Sequence, residues 1–109
     1  YDQNSIGLQA RTISKGMRKI TQVFGNTNTL FICLNQTRTK IGVMYGDPTT
    51  TPGGAAIPFH SSVRIKLGAG SQIKNKDGDI VGINVSAKTI KNKVAHPFRT
   101  CHFEIHFGV

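Results

Sequence analysis

Thr29-Leu30-Phe31-Ile32-Cys33-Leu34-Asn35 is a short, uninterrupted apolar run between polar flanks. A run of this length without alternation reads as a strand covered on both faces, and such strands belong to parallel α/β sheets. Cys33 inside it then reads as a small buried hydrophobe. The strand ends at Asn35-Gln36. Ligands of open α/β sheets collect beyond the carboxyl ends of the strands, so this polar pair is a candidate site. A plain strand-end hydrogen bond is the competing reading.

Upstream, Ile6, Ala10, Ile13, Met17, Ile20 and Phe24 recur at spacings of four and three, the period of an amphipathic helix. Ser5 is placed to cap its start and Gly25-Asn26 to stop it. Arg11, Lys15 and Arg18 follow at i, i+4 and i+7. At ~100° per residue they form a basic stripe roughly opposite the apolar one. A merely solvated charged face is the alternative.

Downstream, residues 37–52 form a long segment with Gly42, Gly46, Pro48, Pro52 and Thr39, Thr49, Thr50 and Thr51. Within it Arg38 and Lys40 stand beside Ile41, Val43, Met44 and Tyr45. Loops this long inside a domain are functional or disordered, and apolar residues interleaved with cations suit stacking against bases. Gly53-Gly54 then opens a short helix through Ala55, Ala56, Ile57 and Phe59, in which Pro58 limits the length. Glycines at a helix start let an anion approach free backbone N–H groups, although turns use the same pair everywhere.

The second half reads as a meander. Val63, Ile65 and Leu67 alternate with Arg64 and Lys66 as a half-buried strand. Residues 68–79 read as a polar connection ending in the turn signal Asp77-Gly78. Val81, Ile83, Val85 and Ala87 alternate again toward Lys91-Asn92-Lys93, and Cys101, Phe103, Ile105 and Phe107 alternate with His102, Glu104 and His106. The three polar residues of that last strand share a face, which permits a metal geometrically. No further ligand is evident, so the expectation is no metal site.

Composition narrows the function. Apolar residues make up 38% of the 109 residues and charged residues 17%. No stretch approaches the ~18 apolar residues of a membrane span, and the opening residues do not read as a signal peptide. Cys33 and Cys101 are too few for a disulfide scaffold and lack the spacing of a zinc ribbon. Fourteen Lys and Arg against five Asp and Glu leave a net charge of +9. An excess of this size points to a polyanion, nucleic acid first, with solubility charge as the bland reading. The chain begins at Tyr1 and ends directly after an apolar strand-like run, as a segment of a larger protein would.

Several stretches together resemble the bacterial RecA recombinase family, including its phage-encoded members. They are Gly7-Leu8-Gln9-Ala10-Arg11, Met17-Arg18-Lys19-Ile20, Asn28-Thr29-Leu30 and Asn35-Gln36-Thr37-Arg38. The most specific is Lys40-Ile41-Gly42-Val43-Met44-Tyr45-Gly46-Asp47-Pro48 with Thr49-Thr50-Thr51-Pro52-Gly53-Gly54 behind it. Phe59-His60-Ser61-Ser62-Val63-Arg64, Val81-Gly82, Ile90-Lys91-Asn92-Lys93-Val94-Ala95 and Pro97-Phe98 continue the match in order.

The resemblance implies the C-terminal half of a RecA-type P-loop NTPase core: α/β, a mixed sheet with antiparallel C-terminal strands and flanking helices. It implies ATP with Mg2+ in the parent protein, single- and double-stranded DNA as partners, self-assembly into a helical filament, strand exchange, and a cytoplasmic location. Residues 1–6 would end a first DNA-binding loop and residues 37–53 would form a second. Ile6, Arg11, Arg18, Arg38, Thr39, Lys40, Ile41, Gly42, Val43, Met44, Tyr45, Gly53, Gly54 and Ala55 fall on DNA-binding positions. Gln36 matches a sensor of the nucleotide's terminal phosphate. Lys91 and Lys93 match lysines that reach the neighbouring protomer's ATP. Ile105, Phe107 and Gly108 match positions near the adenine, and Phe59 a protomer interface.

The family's G-x-x-x-x-G-K-[ST] phosphate loop is not in these residues. The resemblance places that loop and the catalytic glutamate upstream, so this chain alone is expected not to hydrolyse ATP. Two other function classes fit the charge: a stand-alone nucleic-acid module without nucleotide chemistry, and another ATPase of the same core, such as a helicase.

Overall fold

The first element is a helix, α1 (Gln3–Phe24), in a computed structural model that describes residues 3–39, 49–50 and 55–108. The chain divides into two units, Tyr1–His60 and Ser61–Val109. In the first, α1 is followed by an irregular segment, by the paired strands β1 (Arg38–Thr39) and β2 (Thr49–Thr50), and by the short helix α2 (Ala56–His60).

α1 follows the expected apolar period. Ala10, Ile13, Met17, Ile20 and Phe24 are half-buried, whereas Arg11, Lys15 and Arg18 are exposed. It ends where Gly25 stands, with the Gly25 N–H still donating to the Thr21 carbonyl at 3.0 Å. The beginning differs. Gln3 and Asn4 do not break a helix, so the ladder extends upstream and Ser5 lies inside the first turn instead of capping it. Of the stretch expected to end a loop, residues 3–6 are therefore helical, and residues 1–2 lie outside the described residues.

The apolar run 29–35 is not a strand. No described strand pairs with it, and a strand exists only through a neighbour that satisfies its N–H and C=O groups. Leu34 is 94% exposed, and Cys33, expected to be buried, is exposed as well. Phe31 packs its ring 5.2 Å from that of Phe24 at the end of α1. Of the expected mixed sheet, the antiparallel C-terminal strands are present. Both sheets among the described residues are antiparallel throughout.

α2 is as short as Pro58 suggested. Proline is tolerated in the first helical turn, where its missing N–H has no partner anyway, and the Phe59 N–H closes the turn on the Ala55 carbonyl at 2.9 Å.

The second unit is a three-stranded meander, β3 (Val63–Lys74), β4 (Ile80–Asn92) and β5 (Thr100–His106), in the order β3-β4-β5. β3 runs further than the alternating pattern indicated, and the expected long connection shrinks to a tight turn. Gly68 and Gly70 lie within the strand because β4 crowds them. A Cβ on Gly68 would lie 2.8 Å from Ser86 Oγ, and one on Gly70 3.1 Å from the Asn84 carbonyl. The ladder shifts register between Ala69 and Gln72, where strand glycines are expected. Asn75 closes the turn, its Oδ1 accepting from the Asp77 and Asp79 N–H groups at 3.0 and 2.9 Å. Gly78 supplies the positive φ of 84°.

Register places Leu67, Ala87 and Cys101 side by side, and likewise Ala69, Val85 and Phe103. That face is apolar, yet Val85 is the buried hydrophobic residue of the described set, at 8% exposure. Leu67 is 65% exposed, while Arg64 and Lys66 on the other face are half-buried. The half-burial expected of β3 thus falls on its basic residues. Long cationic side chains lie along the sheet over their own stems, and no described element of this unit covers the apolar side.

Candidate functional site

In the first unit the site begins with α1. Its apolar stripe packs, so its opposite face turns Arg11, Lys15 and Arg18 outward. With Leu8, Thr12 and Ser14 they line a groove of about 350 Å3. Three cations and two hydroxyls along one helix face suit successive phosphates of a nucleic-acid backbone. Lys15 belongs to the groove as fully as the two arginines matched by resemblance, and its signal is the i, i+4, i+7 stripe itself.

Arg11 also borders a second cavity of about 500 Å3 between α1 and α2, with Ala10, Ser14, Ala55, Ala56, Phe59 and His60. The structure thereby brings together Arg11, Ala55 and Phe59. Phe59 is 73% exposed, its ring edge-on to His60 at 5.1 Å. His60 Nδ1 in turn lies 3.4 Å from Thr21 Oγ1 on α1.

Arg38 and Thr39 form β1 and pair with Thr50 and Thr49 of β2. Lys40, Ile41, Gly42, Val43, Met44, Tyr45, Gly53 and Gly54 lie outside the described residues. Sequence reasoning missed the two-rung ladder at the base of this segment. The β-branched Thr39, Thr49 and Thr50 were its signal. Gln36 is exposed in the irregular segment, not at a strand end, and its N–H donates to Asn35 Oδ1 at 2.9 Å.

In the second unit, Lys91 lies on β4 directly across from Arg64 of β3. Lys93 follows at the strand's end, where its N–H donates to the Ser62 carbonyl at 2.9 Å. Asn92 fixes the chain beyond, its Oδ1 accepting from the Val94 and Ala95 N–H groups at 3.0 and 3.1 Å. Partial desolvation lowers the Lys91 pKa below its ordinary value, and the like charges of Lys93 and Arg64 lower it further.

Ile105 and Phe107 sit elsewhere on this sheet. Ile105 pairs with Ile83, and the Phe107 N–H reaches the Val81 carbonyl at 2.8 Å before Gly108 turns the chain at φ 75°. From Ile83 to Lys91 along β4 is roughly 25 Å at the usual strand rise. The unit therefore does not gather Ile105, Phe107 and Gly108 with Lys91 and Lys93. On β5, His106 Nε2 lies 2.9 Å from Glu104 Oε2. Among the described residues no group of three His, Cys, Asp or Glu side chains is arranged to hold a metal. No helix of the described residues is long and apolar enough to cross a membrane.

The family model of the RecA N-terminal domain matches residues 1–109. Protein RecA of Ruminococcus albus is 50% identical over 103 residues, covering 94% of this chain and 26% of that protein. Protein RecA of Thermus aquaticus is also 50% identical, over 94% of this chain and 30% of its own length. Protein RecA of a Caulobacter species is 52% identical, over 94% and 28% respectively. The chain spans less than a third of the length of these relatives. It is an α/β chain with a basic helix face, and it belongs to the RecA family.

Proposed function

We propose that the whole protein is an ATP-dependent recombinase of DNA repair. It coats single-stranded DNA as a helical filament, pairs it with a homologous duplex and exchanges the strands, in the cytoplasm of a bacterium or a phage-infected cell. The observation that carries this reading is the exposed Arg11–Lys15–Arg18 face of α1 in a chain of this family. These cations hold the DNA backbone without reading its sequence. Arg38, Thr39 and the residues 40–45 beyond them, with Gly53, Gly54 and Ala55, complete the contact, and the apolar members wedge beside bases.

ATP with Mg2+ supplies the phosphoryl group whose state switches the filament's grip on DNA. Gln36 senses the terminal phosphate and passes its presence to the segment that follows. Lys91 and Lys93 stabilise charge on the phosphoryl group of a neighbouring protomer's nucleotide, as an arginine finger does. Ile105, Phe107 and Gly108 hold the adenine side of another. The wide separation of these two sets along one sheet supports two nucleotides per subunit face, hence assembly, with Phe59 at the contact between copies.

The test is fluorescence anisotropy of a labelled single strand titrated with the full-length protein, with and without ATP, at several salt concentrations and beside a matching duplex. The expected result is nucleotide-dependent, salt-sensitive preference for the single strand. Equal binding to both DNAs regardless of nucleotide would instead support a basic module without nucleotide chemistry. Lys91→Ala in the full-length protein is expected to lower ATP turnover while leaving nucleotide binding largely intact, and steady-state hydrolysis beside direct nucleotide titration checks it.

A further inference from the structure

Two depressions of the first unit adjoin. Arg11 and Ser14 line both the groove along α1 and the cavity of about 500 Å3 between α1 and α2. Their chemistry differs. The groove adds Lys15 and Arg18, and none of the residues lining either depression is a carboxylate. The cavity is mostly apolar, walled by Ala10 of α1 and by Ala55, Ala56 and Phe59 on the α2 side. Its volume falls within the roughly 300–1,000 Å3 of pockets that hold small organic ligands.

The cavity suits a flat ring. Its three alanines leave space that larger side chains would fill. Phe59 and His60 set their rings edge to face, 5.1 Å apart at 89°, and so bring aromatic surface to the wall. His60 ties this corner to α1, its Nδ1 3.4 Å from Thr21 Oγ1. The Phe59 N–H, donating to the Ala55 carbonyl at 2.9 Å, closes the turn that carries the α2 side. An apolar cavity with aromatic edges would take many ligands. Joined through Arg11 to a row of cations, it fits a flat apolar group with a negative charge on one side. A nucleotide unit of a strand has that make-up.

We infer that the α1–α2 cavity takes one unstacked base of the single strand whose phosphates lie along the Arg11–Lys15–Arg18 groove. The strand as ligand rests on the DNA-binding reading above, while the cavity and its junction with the groove rest on the geometry. Arg11 and Ser14 stand where the two part: the phosphate keeps to the groove and the base leaves it. Stacking uses the face that every base has, so the site grips without reading sequence. A second copy of the chain, with Phe59 at the contact, is the competing occupant.

The test sets a thymidine oligonucleotide against the same strand made abasic throughout, each titrated with the full-length protein by fluorescence anisotropy at several salt concentrations. The ratio of the two affinities reads the bases, and the salt slope reads the phosphates. Ala10→Leu and Ala56→Leu fill the cavity from its α1 and α2 sides. Each is expected to cut the wild-type ratio by about tenfold, the order of one stacked base. A salt slope like that of the wild type shows that α1 retains its groove in the variant. A ratio unchanged in both variants overturns the base site. So does an equal loss on the two strands, and smaller assemblies in sedimentation velocity would then give the cavity to a second copy. A flat salt slope in the wild type, with the ratio still narrowed by the filling variants, would remove the backbone reading of α1 and leave the base site standing, so the two failures are distinguishable.

Discussion

Arg11 borders two depressions of the first unit, the groove of α1 and the α1–α2 cavity. Arg18 lines the groove alone. Each arginine that neutralises a phosphate releases counterions, and the slope of log affinity against log salt falls by about 0.7 per lost contact on a single strand. Arg11→Ala and Arg18→Ala are each expected to weaken DNA binding without sequence preference and to flatten that slope by about this amount. Unchanged slopes in both variants would remove α1 from the interface. Lys91 makes a separate prediction. Its pKa in the folded chain lies below the ordinary 10.5, so below that lowered value both folded and unfolded chains carry the proton and the fold bears the repulsion. As pH climbs through the lowered value toward 10.5, the native chain sheds its proton first and stability rises. Urea unfolding between neutral pH and the lysine range is expected to show this rise in the wild type and a smaller one in Lys91→Gln.

Elements differ in how far the sequence betrayed them. α1 was legible because its six apolar positions obey one period and Gly25 stops it, signals that depend on nothing outside the helix. The run 29–35 was misread for the opposite reason. Its apolar content is a property of the segment, but strand formation needs a partner, and none of the described strands serves. β3 was cut short because residues 68–79 read as a polar connection, whereas the missing side chains of Gly68 and Gly70 are what admits Ser86 and the Asn84 carbonyl. Of the candidate site, the helix stripe and the strand-end lysines were legible. Arg64 was not, because only register shows which β3 residue faces Lys91. Gly82 tests the same logic in the centre of the sheet. A Cβ there would come within 2.6 Å of the Ile105 carbonyl and 3.2 Å of Ile73 Cδ1. Backbone must move to admit it, so Gly82→Ala is expected to destabilise the sheet by about 1–3 kcal/mol, read from chemical denaturation, with lost hydrogen-exchange protection along β4–β5.

At the scale of the molecule, the second unit carries an apolar sheet face that its own strands do not cover. Leu67, Phe103 and Ile105 are all exposed there around the half-hidden row of Val81, Ile83 and Ala87. Contiguous apolar surface of this kind drives association. The 109-residue chain is therefore expected to bind a hydrophobic dye and to sediment above its monomer mass as concentration rises. Leu67→Gln combined with Ile105→Gln should reduce both. Sedimentation velocity over a concentration series checks this, and a strictly monomeric wild type would show the face to be masked.

The ladder joining Arg38 to Thr50 and Thr39 to Thr49 separates two quantities that are usually tied, the length of a segment and the position of its ends. Closing a longer span costs little, about 0.6 kcal/mol for each doubling, while slipping the ladder by one residue would invert every side chain flanking it. Variation among related proteins at this place should therefore be asymmetric. Changes in the length of the stretch between the rungs should cost little stability, while the rungs themselves keep their threonine-rich chemistry and their spacing from α2.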